Sequence, residues 1–314
     1  MFSRFWKLLS YIACFVALYF YGVQLYSYSN SIPNVEVSWK GVVLSIFSIF
    51  LVVGISALGT LIWRELLKDA GYRITWMASV RVYFISQFGK YVPGNFAHHL
   101  GRVMMAREMG LPIGIVLNSM ILEILWGIGV GIGLSLGALL FFFEGRELVL
   151  QIGITSPLLI FLFVLIWSLP WLAAWGINKF FPAVAKKVAG EAGVVMPQFK
   201  TALKVAVLFL CGFFAMGYIV KMQANLFFGV TNHVTLIEIT CLFSLAWIVG
   251  YLVPGAPGGL GVREIMMVVL LSPVIGSAAA VGVGLTLRIT TTIGDLISFL
   301  CGMLVKKNQK LADA

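Results

Sequence analysis

Apolar residues run through this chain in long blocks, and the blocks differ in whether anything interrupts them. A membrane crossing takes about 20 apolar residues. On that criterion uninterrupted runs predict full helices near 5–27, 41–63, 113–143, 154–178, 201–228 and 277–305. Two further stretches are too broken for one helix. The first covers 76–92, breaks at Pro93-Gly94 and resumes over 96–109. The second covers 236–253, breaks from Pro254 to Gly259 and resumes over 260–272. Each half is short, so each pair reads as a re-entrant hairpin; two halves that cross completely give the same parity.

The two breaks nearly repeat one another. Val92-Pro93-Gly94 returns as Val253-Pro254-Gly255, with Arg102 nine positions beyond Pro93 and Arg263 nine beyond Pro254. Three predicted full spans separate the breaks, an odd number, so the hairpins open from opposite sides. That predicts an all-α polytopic protein: about six full transmembrane helices and two Pro/Gly-broken hairpins in an inverted repeat. Repeat 1 covers about 41–143 and repeat 2 about 201–305 of a single integral membrane domain, 1–314. Transporters use this arrangement to build a site near the bilayer midplane.

Composition agrees with the pattern. The 314 residues are 61% hydrophobic and 11% charged, with a mean hydropathy of +1.01, which excludes a soluble domain. Continuous apolar runs exclude a β-barrel, whose strands alternate. The first run is too long for a signal-peptide core and is expected to be a retained helix. Cys14, Cys211, Cys241 and Cys301 lie singly in apolar runs and are expected to be small buried hydrophobes. The net charge of +10 is spread among the spans and forms no arm or patch, which argues against nucleic acid. Basic residues concentrate in 1–7, 64–81, 179–204 and 306–310, whereas 28–40, 144–153 and 229–235 hold just Lys40 and Arg146. The positive-inside rule therefore places both termini in the cytoplasm of a multi-pass inner-membrane protein.

Broken helices expose backbone groups, and the residues beside these breaks suit an anion. In the first copy the candidates are Lys90, Tyr91, Pro93, Gly94, Asn95, His98, His99 and Arg102. A helix starting near Phe96 aims its positive end at the break, and Lys90 and Arg102 add charge for a lipid phosphate. Lys90 and Arg107 alternatively anchor at the interface by snorkelling. Adjacent histidines on a helix point about 100° apart and make no two-ligand metal face; no metal or other cofactor is expected. In the second copy the candidates are Pro254, Gly255, Pro257, Gly258, Gly259, Arg263 and Glu264. Arg263-Glu264 reads either as a direct ligand or as a local ion pair. Glu123, Arg288 and Asp295 are charges inside apolar sequence, hence functional candidates by default. Glu123 and Arg288 follow their respective hairpins, which suggests a contact across the repeat axis. Thr291 and Thr292 are expected on the face of Arg288 and Asp295. Lys221 is a further charge toward the outer end of its span. Gly127, Gly129, Gly131, Gly133 and Gly137 recur at helix-packing spacing.

Gly89-Lys90-Tyr91-Val92-Pro93-Gly94, the later Arg107-Glu108-Met109-Gly110 and Pro257-Gly258-Gly259-Leu260-Gly261-Val262-Arg263-Glu264 together resemble the lysylphosphatidylglycerol synthase transmembrane-region family, also called flippase-like membrane proteins. The resemblance covers almost the whole chain. It implies movement of an anionic lipid: in bifunctional members such a domain moves an aminoacylated phospholipid that a separate soluble domain makes. Other members are fused to or encoded beside glycosyltransferases acting on polyprenyl-phosphate carriers. The 314 residues hold no stretch that reads as an aminoacyl-transfer domain, so the expectation is translocation or binding of a phospholipid or polyprenyl-phosphate-linked sugar. The alternative is an integral membrane enzyme, or an accessory subunit of a glycosyltransferase, working on a lipid-linked substrate. Expected partners are membrane lipids with phosphate headgroups and a glycosyltransferase or lipid-modifying enzyme. The sequence does not define an oligomeric state.

Overall fold

The computed structural model describes residues 23, 26, 39–91, 97–142, 164, 168–189, 193–230, 234–253, 259 and 261–306. Regular structure there is helical: α1 (Trp39–Asp69), α2 (Trp76–Gln87), a 3₁₀ turn (Phe88–Tyr91), α3 (Ala97–Glu108), α4 (Ile113–Phe142), α5 (Leu169–Phe180), α6 (Pro182–Ala189), α7 (Phe199–Phe228), α8 (Leu236–Leu252), α9 (Val262–Ile275) and α10 (Ser277–Leu304). Four of these, α1, α4, α7 and α10, are long and apolar enough to cross a membrane, and they coincide with four predicted spans. The predicted helix at 5–27 lies almost wholly outside the described residues. So does the first part of the span at 154–178, whose end forms α5.

Both interrupted regions are interrupted. α2 and α3 have 12 residues each and α9 has 14, so at 1.5 Å per residue none reaches across a hydrocarbon core about 30 Å thick. α8 is longer, an apolar helix of 17 residues. α2 and α8 begin alike: Thr75 Oγ1 accepts from Ala78 N at 3.3 Å and Thr235 Oγ1 accepts from Glu238 N at 3.1 Å. Each threonine satisfies one of the orphan N–H groups of its first turn.

Contact with lipid explains the inverted surface. Val43, Phe47 and Phe50 on α1, Leu203 and Val207 on α7, and Ile289 and Leu300 on α10 are exposed. Some buried polar side chains inside the bundle satisfy one another, as an apolar surround favours. Gln223 donates to Thr290 at 2.8 Å and accepts from Thr286 at 3.1 Å, tying α7 to α10. Two of the cysteines depart from expectation, and Cys14 lies outside the described residues. Cys241 is buried, but Cys211 and Cys301 are exposed on the perimeter, where an apolar thiol is as well accommodated as in a core.

Helix contacts follow a regular scheme. α1 packs on α7; α2 packs on α10 while α8 packs on α4; α1 meets α2, α4 and α10 while α7 meets α8, α10 and α4. α2 meets α3 and α8 meets α9, and α3 and α9 lie on α4 and α10. Within each broken pair the two halves touch at a glycine. A Cβ on Gly89 would sit 2.7 Å from His98 N, and one on Gly250 would sit 2.9 Å from Arg263 Cβ. Only a bare backbone permits that approach. Gly127 and Gly131 of the predicted packing stripe likewise face Phe209 and Ile248 at 3.2 and 3.0 Å.

Gly89→Ala and Gly250→Ala should each lose about 1–3 kcal/mol in thermal unfolding, the usual cost of overpacking. Gly54→Ala, on exposed α1 with nothing within 4 Å, should be neutral or gain up to about 1 kcal/mol of helix propensity. Equal behaviour of the three variants would contradict the close contact.

Candidate functional site

The halves of both broken pairs and the helices that follow them converge on one cavity of about 330 Å³. α1 and α7 wall it with Val52, Ile55, Ser56, Phe209, Gly212, Phe213 and Met216, and α8 adds Phe243, Trp247 and Tyr251. Trp247 stacks on Tyr251 at 5.1 Å and meets Phe213 edge-on at 5.3 Å, forming an aromatic wall. Against these apolar surfaces stand Lys90, His98, His99, Arg102, Glu123, Arg263, Arg288, Thr291 and Asp295.

Three charged groupings organise the polar side. Arg102 on α3 is 1% exposed and donates to Glu123 Oε2 on α4; Tyr83 on α2 donates to the other oxygen at 2.9 Å. The guanidinium carbon lies 4.3 Å from the Tyr83 ring centre and 5.7 Å from that of Trp63, a cation–π seat on two faces. The second grouping joins the 3₁₀ turn to α10. Asp295 Oδ2 lies 2.7 Å from Lys90 Nζ and accepts from Tyr91 at 2.5 Å, and Arg288 lies over the Tyr91 ring at 5.5 Å. The third is looser. Glu264 Oε1 lies 3.5 Å from Arg263 and 3.6 Å from Arg288, while Oε2 accepts from Gly261 N at 2.7 Å and caps α9.

Of the residues anticipated at the first break, Lys90, Tyr91, His98, His99 and Arg102 line this cavity; Pro93, Gly94 and Asn95 lie outside the described residues. At the second, Gly259 and Arg263 line it and Glu264 stands behind Arg263; Pro254, Gly255, Pro257 and Gly258 lie outside. Glu123 and Arg288 are both present, yet the contact between them is replaced by Glu123–Arg102 and Arg288–Glu264. Arg102 and Glu264 each stand on the short helix that precedes the one carrying Glu123 or Arg288, so for these two charges the nearer partner lies in the same half of the chain. Thr291 faces the cavity, whereas Thr292 is exposed. His98 and His99 lean together, ring centres 3.8 Å apart, because both rotamers turn toward the cavity. Lys90 is ion-paired rather than purely an interface anchor; Arg107 is exposed at the end of α3, and Lys221 is half-buried on α7 away from the cavity.

Sequence reasoning passed over Tyr83, Trp63 and the aromatic wall. Trp247 and Tyr251 carried a signal: they stand four apart, on one helix face, immediately before the second break. Tyr83 carried none beyond being a hydroxyl in an apolar half-helix.

Residues 5–298 match the family described as the lysylphosphatidylglycerol synthase TM region. The chain belongs to that family, and with its spanning helices it is a multi-pass membrane protein. No curated protein and no solved structure matches it.

Breaking a buried pair by removing one partner costs about 3–5 kcal/mol. Arg102→Gln and Glu123→Gln should each destabilise on that scale, and the double variant should recover a large part. The same cycle on Glu123 and Arg288 should be additive within about 0.5 kcal/mol. Thermal unfolding of the purified variants measures both; coupling of Glu123 to Arg288 instead would contradict the pairing.

Proposed function

We propose that this protein binds an anionic lipid at its phosphate headgroup and moves it across the inner membrane. The observation that carries this reading is the cavity itself. Lys90, Arg102, Arg263 and Arg288 meet, together with Glu123, Asp295, His98 and His99, on one side of a space whose opposite walls are mainly aromatic and aliphatic. Arginine forks recognise phosphate oxygens, and cations at bilayer depth are retained where they serve a pathway. A phospholipid or a polyprenyl-phosphate-linked sugar has both required parts, a charged head for the polar side and a tail for the apolar side. Ser56 and Gly212 keep the α1 and α7 walls thin at the cavity, so a tail passing between these helices stays in the bilayer while its headgroup sits inside.

The helix contacts support an inverted repeat. Exchanging α1 with α7, α2 with α8, α3 with α9 and α4 with α10 converts each principal contact among these helices into another that is present. On this reading the two broken pairs are hairpins entering from opposite sides, both termini are cytoplasmic, and the cavity lies on the pseudo-axis where alternating access needs it. A glycosyltransferase or lipid-modifying enzyme would supply or consume the lipid.

Gly212 provides a test that leaves every charge in place. It lines the cavity, and a Cβ there meets nothing within 4 Å. Gly212→Leu should fold with unchanged thermal stability yet lose most of the leaflet exchange of a phosphate lipid in proteoliposomes. Full exchange by a folded Gly212→Leu protein would put the lipid path elsewhere. Topology is checked by impermeant thiol labelling in a cysteine-free background: Asn232→Cys should label from outside and Ala70→Cys should not. Labelling of Ala70→Cys alone would reverse the assigned orientation.

A further inference from the structure

The turn between α1 and α2 holds a second cavity, of about 460 Å³, lined by Arg64, Glu65, Lys68, Arg73, Ile74 and Thr75. None of these residues lines the central cavity. Its depth is that of lipid headgroups. α1 has 31 residues, about 46 Å at 1.5 Å per residue, so its last turns extend past a hydrocarbon core about 30 Å thick. Arg64 and Lys68 stand four apart on one face there, and Arg73 closes from across the turn.

The carboxylates at this end of α1 are engaged by α7, and the cations keep free donors. Glu65 Oε2 is held by Lys204 at 3.0 Å. Asp69 accepts from Gln198 N at 3.1 Å and from Thr201 Oγ1 at 2.7 Å, where α7 begins. Arg64 donates Nε to Ile74 O at 3.2 Å, which leaves its two terminal nitrogens. Among the described residues neither Lys68 nor Arg73 has an ion-pair partner. The lining carries three positive charges and one negative, a surplus of two. α2 adds its positive end: Trp76 and Met77 open the helix just past Thr75, where backbone N–H groups have no intrahelical partner.

We infer that this turn is a second anion site, separate from the central cavity, and that it takes a phosphomonoester. A phosphomonoester carries about −1.5 to −2 at neutral pH and offers three oxygens, so it matches the surplus where a singly charged phosphodiester does not. Two arginine forks and a lysine are suited donors for it. The level of the site admits two sources of that group. One is a leaflet lipid with a terminal phosphate, its tails in the bilayer beside α1; the other is a soluble phosphate ester from the aqueous side. Either occupant bridges the end of α1 to the start of α2, the helix that brings Tyr83 to Glu123. Because Lys68 and Arg73 are exposed, binding weakens as salt rises. A central cavity that moved no lipid would leave this site intact.

Hydrogen exchange across residues 68–78, read by mass spectrometry on the full-length protein in phosphatidylcholine nanodiscs, reports this turn and not the central cavity. Phosphatidic acid doped into the discs is the lipid probe, glycerol 3-phosphate in solution is the soluble one, and phosphatidylglycerol is the diester comparison. At least one monoester should slow exchange there by about threefold or more. It should half-saturate at least about tenfold below phosphatidylglycerol. Lys68→Gln combined with Arg73→Gln changes two exposed side chains and should fold, yet lose that protection. Arg107→Gln combined with Lys306→Gln removes the same charge elsewhere and should keep it. Protection by phosphatidic acid alone supports a lipid occupant; protection by glycerol 3-phosphate, with or without it, supports the phosphate group itself. No protection by either monoester, equal protection by phosphatidylglycerol, or equal loss in the two double variants overturns the site.

Discussion

A charge enclosed by apolar helices persists only where another charge or a hydrogen bond meets it, and among the described residues seven stand around one cavity. That requirement connects the local features to one another. Arg102 sits just past the first break and Glu123 on the helix that follows, so the pair ties α3 to α4. Asp295 reaches back from α10 to Lys90 and Tyr91 and fixes the turn at the end of α2. Glu264 caps α9 with one oxygen and leaves the other to two arginines. Each grouping joins segments that could not have been placed by apolar packing alone, since a lipid-bathed bundle has little hydrophobic force between its helices.

The glycines permit what the charges require. Gly89 and Gly250 let the two halves of each broken pair come into backbone contact, which brings His98 and Arg263 to the cavity rather than to the perimeter. Aromatic side chains then complete the space. Tyr83 and Trp63 seat the Arg102 guanidinium, and Trp247, Tyr251 and Phe213 form the opposite wall. A phosphate lipid needs this division, with fixed cations on one side and polarizable apolar surface on the other.

Much of the helical layout was legible in the sequence, because length and Pro/Gly interruption act locally. The spans near 41–63, 113–143, 201–228 and 277–305 were found within a few residues at most ends, though α1 runs on to Asp69. Lys90, Arg102, Arg263, Glu123, Arg288 and Asp295 were all identifiable as charges beside a break or inside an apolar run, and all line one cavity. Their partners were not legible. Which carboxylate meets which cation depends on the rotation and depth of each helix, quantities that a mean hydropathy does not encode. The Glu123–Arg288 expectation failed for that reason: matching sequence positions in two halves does not make residues neighbours, and Arg102 and Glu264 stand closer to these two charges. The aromatic wall went unseen because an aromatic residue in an apolar span looks the same whether it faces lipid or a cavity.

The claim at the centre is that a lipid headgroup enters this cavity, and covalent capture tests it most directly. A phospholipid carrying a photoreactive group at its headgroup, irradiated with the protein in a bilayer and mapped by mass spectrometry, reports the residues it reaches. The account predicts adducts on the cavity residues beside the cations, Tyr91, His98, His99 and Thr291, reduced in the Arg263→Ala protein. Adducts confined to perimeter residues such as Phe47 and Phe50, with nothing in the cavity, would contradict it.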